Sequence, residues 1–292
     1  MWIERYLFYP NFFQKILSFF LLPFTFLYCL IVYFKFPRKF KDLKIPIISI
    51  GNLIIGGSGK TPLAIFLANR YPNTAVVLRG YGRKSKGCIV VKNKKILVDV
   101  EMSGDEAMEI ALNSDAIVIV SEDREEGINK AKELGAKQVI LDDGFDKPFK
   151  KLSIIIDVDI KNRYCIPSGG YRYPRNFIKK ADILLREGLN FQRKVKIPQL
   201  QDFVLISAIS KPQRLLKYIN TNNYHFFIDH HTFTKEEIEK ILQKYNTQTI
   251  LTTYKDYVKL KDFGFKIELI ELKLEISKEI LDEIDEYLVK YD

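Results

Sequence analysis

The sequence predicts an α/β protein: a mostly parallel sheet with flanking helices over 45–200, a smaller α/β domain over 201–292, and a membrane-associated amino-terminal segment over 1–44. Three observations carry this. Short apolar runs of the kind that fill strands buried on both faces alternate with segments of helical spacing. The alternation pauses near 199–203 and restarts. Residues 16–34 carry no charge, and Lys35, Arg38, Lys39, Lys41 and Lys44 follow closely.

The 19 uncharged residues Ile16–Phe34 approach the length needed to cross a bilayer. Ser18 and Pro23 argue against a straight span. Residues 1–40 hold 15 of the chain's 38 aromatic side chains, and aromatic rings favour the interfacial layer, so a helix lying among the headgroups is also open. A cleaved signal peptide fits poorly, because the bases follow the apolar stretch and no small-residue cleavage site appears. That positive flank predicts that the chain beyond residue 35 is cytoplasmic.

The first strand of the body is Ile45–Ile50, which runs into Gly51-Asn-Leu-Ile-Ile-Gly-Gly-Ser-Gly-Lys-Thr61 and a helix from Thr61 to Arg70. Strands are expected at Thr74–Leu78, Ala116–Val120, Gln138–Leu141 and Leu152–Val158, and helices over Ser103–Asn113 and Glu122–Leu134. Ser103 with Glu106 reads as a capping box. The second domain is expected to begin with a strand at Val204–Ile209 and a helix over Pro212–Ile219. A strand near Tyr224–Ile228, a helix opened by Thr234 with Glu237, a strand at Thr249–Thr253, a β-like run Lys266–Ile276 and a helix from Ser277 complete it.

Charge is unevenly placed. The chain carries +10, but residues 1–44 account for +5 and residues 79–98, with seven bases and no acid, for +7, leaving the remaining 228 residues at −2. Two basic foci on a nearly neutral body suit an anionic membrane and an anionic substrate. Nucleic acid is the poorer fit, because no stacking platform or recognition helix accompanies the bases. Three cysteines without CxxC spacing and three histidines without HExxH make a zinc site or disulfide framework improbable.

A strand, a glycine-rich turn and Gly-Lys-Thr opening a helix is the context of a phosphate-binding loop, so the fold is expected to be P-loop NTPase-like. Gly56, Gly57, Ser58 and Gly59 would aim backbone amides at phosphate oxygens, Lys60 would reach the outer phosphates, and the Thr61 hydroxyl would ligate Mg2+. The strict pattern wants glycine at position 54, where this chain has Ile54; the later glycines can supply the flexibility one step on. Asp142 and Asp143, ending a buried strand, supply carboxylates where open α/β sheets bind ligands, one for the metal and one to position it or a water. A guanine-reading Asn-Lys-x-Asp is missing, the nearest stretch being Thr253-Tyr-Lys-Asp256, so the expected nucleotide is ATP.

The loop Arg79-Gly-Tyr-Gly-Arg-Lys-Ser-Lys-Gly87 follows the second strand and could grip a phosphorylated substrate or headgroup. Asp105 has a bland explanation as an acid in a first helical turn, and Arg124 as a helix-surface pair. His230 and His231 end a strand-like run, so at most one enters a given cleft.

Taken in order, Ile48-Ser-Ile-Gly-Asn-Leu53, Gly56-Gly-Ser-Gly-Lys-Thr-Pro62, Leu78-Arg-Gly-Tyr-Gly-Arg83, Gly104-Asp-Glu106, Ser121-Glu-Asp-Arg124, Ile140-Leu-Asp-Asp-Gly-Phe145, Lys211-Pro-Gln-Arg214, Asp229-His-His231 and Leu251-Thr-Thr-Tyr-Lys-Asp-Tyr-Val-Lys-Leu260 resemble the tetraacyldisaccharide 4'-kinase family. The family also lacks the first P-loop glycine. The resemblance implies transfer of the ATP γ-phosphate to the 4'-hydroxyl of a tetraacylated glucosamine disaccharide 1-phosphate in lipid A biosynthesis. It places the reaction at the cytoplasmic face of the inner membrane. It makes Asp105, paired with His230, the base on the sugar hydroxyl, assigns Asp142 and Asp143 to magnesium, and makes Tyr81, Arg83, Arg124 and Arg172 candidate cleft residues. Two departures stand out: the family's Gln-His after Asp-Asp-Gly-Phe is Asp146-Lys147 here, and its Gly-x-Leu-Arg-Glu-Pro is Gly169-Gly-Tyr-Arg-Tyr-Pro174. Nothing in the sequence marks a protein partner. The competing reading is a membrane-bound P-loop ATPase acting on a protein partner without a phosphorylated product.

Overall fold

A computed structural model describes residues 2–291. Three helices open the chain: α1 (Trp2–Phe8), α2 (Phe12–Phe20) and α3 (Leu22–Lys35). The uncharged segment is thus divided in two. Pro23, within the first two positions of α3, lacks the N–H needed to continue a helix but suits the start of one. No single helix is long and apolar enough to cross a membrane; α2 and α3 reach that length and composition only together, across a bend of 60°.

The polarity of this pair is partly inverted. Gln14 and Ser18 are the buried residues of α2 and Thr25 that of α3, whereas Phe12, Phe13, Phe19, Phe20, Phe24 and Phe26 are each more than 60 % exposed. A helix docked on a soluble core turns its apolar stripe inward. Here the inward polar groups are satisfied: Thr25 Oγ1 lies 2.6 Å from Ser168 Oγ, and Ser18 Oγ donates to the Gln14 carbonyl at 3.0 Å.

The body follows as β1 (Ile47–Asn52), α4 (Lys60–Arg70), β2 (Thr74–Leu78), β3 (Ile89–Asn93), β4 (Lys95–Ile96), α5 (Val100–Ser103), α6 (Asp105–Asn113), β5 (Ile117–Val120), α7 (Arg124–Glu133), β6 (Gln138–Asp142), β7 (Leu152–Ile156), β8 (Ile183–Leu185) and β9 (Phe191–Lys196). Then come β10 (Val204–Ser207), β11 (Tyr224–Phe226), α8 (Lys235–Tyr245), β12 (Thr249–Thr253), α9 (Tyr254–Leu260), β13 (Lys266–Ile276) and α10 (Lys278–Val289). The chain forms two compact units, each from separated segments.

The first unit comprises residues 1–60, 140–192 and 276–292. In it β1 pairs in parallel with β7, Ile48 opposite Leu152 and Asn52 opposite Ile156, and β7 in parallel with β8; β6 lies on the other side of β1. Strands β1, β6 and β7 are buried throughout, as their continuous apolar runs require. Phe8, Phe36, Leu53, Ile54, Phe145, Tyr171 and Phe177 form one apolar cluster. Helix α10 belongs here too, because the Tyr287 hydroxyl accepts from the Ile47 N–H (3.2 Å) and donates to its carbonyl (3.1 Å). The division therefore departs from the contiguous boundaries 1–44, 45–200 and 201–292 expected above.

The second unit comprises residues 61–139 and 193–275. One set of strands runs in the order β4-β3-β5-β2 and another in the order β11-β10-β12-β13-β9. β2–β5, β10–β11, β10–β12 and β12–β13 are parallel, whereas β3 is antiparallel to both its neighbours. Thr234 and Glu237 form the expected capping box on α8. The box expected at Ser103 does not form. Gly104, at φ +84°, separates α5 from α6, and the buried Ser103 hydroxyl donates back to the Asp99 carbonyl at 2.7 Å. The helix expected over Pro212–Ile219 is a 3-10 turn, Pro212–Lys217.

Candidate active site

Strand β1 delivers the chain to the glycine-rich turn. Ile54, only 2 % exposed, pairs with Tyr171 as an antiparallel bridge, and the Ile55 N–H donates to the Gly170 carbonyl at 2.9 Å. Position 54 is therefore still core, which is why glycine is not needed there. The turn proper starts two residues later, where Gly56, Gly57 and Gly59 take φ of +65°, +36° and +87°, values that favour glycine. Lys60 opens α4, whose amino terminus adds a favourable field for phosphate.

On the neighbouring strand, Asp142 ends β6 and is 4 % exposed. Asp143, next in the chain, sits at φ +56° and receives two cations. Lys60 Nζ lies 3.9 Å from its Oδ1, and Arg172 grips it with both terminal nitrogens, Nη1 donating to Oδ2 at 2.8 Å and Nη2 to Oδ1. Arg172 Nη2 also donates to Asn52 Oδ1 at 2.9 Å. Burial works against the Arg172 charge, but the Asp143 pairing outweighs it and raises its pKa. Arg172 thus joins the cradle through a carboxylate. The two departures from the family pattern meet here, because the Tyr173 phenol hydrogen-bonds Asp146; burial first, then that carboxylate, push the phenol up.

In the second unit, Asp105 is the first residue of α6. Gly104 makes this placement possible: a Cβ on it would come within 2.9 Å of the Tyr81 carbonyl. His230, at φ +62°, is tied by its N–H to the Ala208 carbonyl at 3.1 Å, and its Nδ1 lies 3.0 Å from Asp105 Oδ2. The Tyr81 ring, itself largely exposed, lies over His230 with centroids 5.2 Å apart.

Sequence reasoning assigned no role to two lysines that complete this cluster. Helix α9 packs on α6 and carries Lys255 and Lys259 one turn apart. Lys259 Nζ lies 3.4 Å from Asp105 Oδ2; Lys255 Nζ lies 4.0 Å from the same oxygen, 3.3 Å from His230 Nε2 and 3.1 Å from Asp229 Oδ1. Their i, i+4 spacing was the available signal. Burial alone would raise Asp105, but the His230 hydrogen bond and the two ammonium groups hold its carboxyl down at about 2. His230 is raised from its ordinary value, chiefly by that hydrogen bond. Glu109, one turn along α6, is pushed upward, chiefly by burial, with Lys255 acting the other way.

His231 points to different company. It stacks on Phe227 at 4.3 Å and reaches Glu237 Oε2 at 3.2 Å. Of the two adjacent histidines, one enters the cluster and the other faces α8.

The second basic focus is largely committed to its own architecture. The Arg83 side chain is 3 % exposed, pairs with Glu122 at 2.5 Å and donates to the Gly87 carbonyl at 2.6 Å. Lys84 pairs with Glu101 at 2.7 Å, and Lys92 donates to the carbonyls of Ala111 (2.9 Å) and Ser114 at the end of α6, where a cation is favourable. Arg124 is 5 % exposed and donates to the Ser121 carbonyl at 2.5 Å. Tyr81, not its basic neighbours, is the exposed side chain of this loop that meets His230.

The sequence pattern of a family described as Tetraacyldisaccharide-1-P 4'-kinase matches residues 17–202 and 189–289. Proteins named tetraacyldisaccharide 4'-kinase from Aliarcobacter butzleri and Campylobacter jejuni are 50 % and 46 % identical. The alignments cover 96 % and 100 % of this chain and 94 % and 97 % of theirs. A crystal structure of LpxK from Aquifex aeolicus, in complex with ATP, superposes with a TM-score of 0.75 at 26 % identity, covering 94 % of this chain and 99 % of that one.

Proposed function

Because the chain belongs to the tetraacyldisaccharide 4'-kinase family, we propose that it transfers the γ-phosphate of ATP to the 4'-hydroxyl of a tetraacylated glucosamine disaccharide 1-phosphate, the lipid A precursor, at the cytoplasmic face of the inner membrane. The observation that carries the chemistry is the Asp105–His230 pair, 3.0 Å apart and flanked by Lys255 and Lys259.

The glycine turn and Lys60 cradle the phosphates. As the bond between the γ-phosphorus and the β-bridging oxygen breaks, the sugar oxygen bonds to phosphorus, ADP leaves, and the hydroxyl proton passes to the Asp105 carboxylate. A carboxyl near 2 is a weak base, yet a loose phosphoryl-transfer transition state releases that proton late, so orientation counts for more than basicity. His230 fixes the carboxylate and stabilises whichever member of the pair holds the proton.

Magnesium fits the donors present. The Thr61 hydroxyl and the carboxylates of Asp142 and Asp143 are hard oxygen donors, the kind magnesium takes together with nucleotide phosphates. Asp143 is already engaged by Arg172 and Lys60, so Thr61 and Asp142 are the residues that would hold it. The ion, when bound, neutralises charge on the transferring phosphate.

The outward phenylalanines of α2 and α3 support an interfacial anchor. Fourteen residues of α3 extend about 21 Å, short of a hydrocarbon core of about 30 Å, so the bent pair is read as embedded in one leaflet. Asp105→Ala tests the chemical assignment: turnover falls by about two to four orders of magnitude with nucleotide affinity nearly unchanged. Equal losses in both would remove Asp105 from the role of base.

A further inference from the structure

A cavity lies in the first unit. Its volume is about 550 Å³, and its lining combines aromatic rings, among them Phe36, Phe145 and Phe149, with the cations Arg38, Lys150, Lys151 and Lys180. Ser153, second in β7, and Asp182, just before β8, place it towards the amino ends of these parallel strands; the phosphate-binding turn follows the carboxyl end of the parallel strand β1.

Its cations are held by rings more than by acids. Lys180 Nζ lies 4.8 Å from the Phe36 ring centroid and 5.2 Å from that of Phe177, and Lys151 Nζ lies 5.7 Å from that of Phe40. The Lys151 ammonium also donates to the Lys147 carbonyl. Asp182 is the one carboxylate of the lining, and it already accepts the Ser153 N–H at 2.7 Å. Lys150 reaches Asp42 at 3.7 Å on its outer side. A cation on an aromatic face is partly dehydrated, which favours an arriving anion. Burial lowers the Lys151 ammonium to about 8, with Asp146 and Asp182 acting the other way, so it remains mostly protonated at neutral pH.

The cavity begins where the membrane segment ends. Phe36 is the residue capping α3, and Arg38 and Phe40 follow it. The outer faces of α2 and α3 carry the exposed phenylalanines, and an anionic leaflet attracts lysines and arginines set just beyond such a segment. We propose that this cavity seats the phosphate headgroup of an anionic phospholipid, the aromatic floor receiving its glycerol and the start of an acyl chain. The inference rests on the membrane-anchored reading given above. It gives the protein a lipid-binding site in addition to the one that carries out phosphoryl transfer.

The test uses the full chain with vesicles of phosphatidylcholine alone and of equal parts phosphatidylcholine and phosphatidylglycerol. The native protein binds both, the anionic vesicles more tightly. Lys151→Gln with Lys180→Gln lowers affinity for anionic vesicles about tenfold or more and leaves neutral vesicles unaffected. A control that removes equal charge elsewhere, Lys266→Gln with Lys273→Gln, changes both much less. Equal losses in the two double variants, or equal native affinity for both vesicles, overturn the site while leaving the anchor standing. Binding to neither vesicle overturns the anchor and the site together. A second arm needs no variant: amine acylation of Lys151 and Lys180 in the native protein is slowed by the anionic vesicles and not by inorganic phosphate at matched concentration. Equal protection by phosphate would make this a phosphate site and refute the lipid assignment.

Discussion

Replacing Asp105 by asparagine keeps the shape of the side chain and removes its charge, so it isolates what the carboxylate does to His230. The two partners are 3.0 Å apart. At an effective dielectric constant of about 20, unit charges at that distance attract by about 5 kcal/mol. Solvent reaches His230, whose side chain is 28 % exposed, and the carboxylate is shared with Lys255 and Lys259. The attraction is therefore screened and shared, and its removal is expected to lower the His230 midpoint. In the native protein His230 titrates above its ordinary 6.5; in Asp105→Asn burial and the Lys255 charge, which lower it, are opposed only by the weaker pull of Asp229. The chain has three histidines, so carbon-detected NMR of histidine-labelled protein resolves one titration from two internal references. A His230 midpoint that stays in place or rises in Asp105→Asn would refute the pairing.

Four further outcomes follow from the same geometry. Lys60→Met lowers kcat/KM for ATP by about two orders of magnitude or more, measured by steady-state kinetics; a smaller loss would mean that another group meets the outer phosphates. Gly104→Ala sets a Cβ 2.9 Å from the Tyr81 carbonyl at φ +84°. It should cost about 1–3 kcal/mol in a denaturant titration, with an unchanged midpoint counting against the close approach. The Asp105 carboxyl, depressed from 3.8 to about 2, contributes stability in full above about pH 4 and loses it as pH falls through 2. That is about 2 kcal/mol by linkage, and it is missing from the acid limb of Asp105→Asn. His230 reports the same pair from the other side, its contribution present below its ordinary value and lost as pH rises past its raised one. Arg172→Met removes the bidentate partner of Asp143 and should weaken magnesium-dependent nucleotide binding more than magnesium-free binding; equal weakening of both would show that Arg172 acts on the nucleotide and not through Asp143.

Most of the scaffold was legible because its signals are local. The runs Thr74–Leu78 and Thr249–Thr253 are strands with the expected ends, and Thr234 with Glu237 starts α8 as its side chains dictate. Ser103 shows the limit. Its spacing to Glu106 satisfies the capping pattern, but Gly104 turns the backbone before the cap can form, and no local rule weighs the one against the other. Tertiary pairing was invisible for the same reason. The lysines of α9 gain meaning only when α9 lies on α6, and no local rule foretells that Arg83 bonds the Gly87 carbonyl of its own loop or that Lys92 bonds the end of α6. The anomaly at Ile54 is explained by Tyr171, more than a hundred residues away. Asp105 was bland by composition and acquired a catalytic reading only from the resemblance, which the His230 contact supports in geometry.

The central claim is a phosphoryl transfer to lipid. The most direct measurement incubates the purified full chain with γ-labelled ATP, magnesium and an acylated glucosamine disaccharide 1-phosphate in neutral detergent, following the label and the mass of the lipid together. The account predicts that the lipid gains one phosphoryl group at the 4'-position in step with ATP consumed, and that Asp105→Ala nearly abolishes the gain. Label released only as inorganic phosphate, with the lipid mass unchanged, would contradict it and identify the protein as an ATPase.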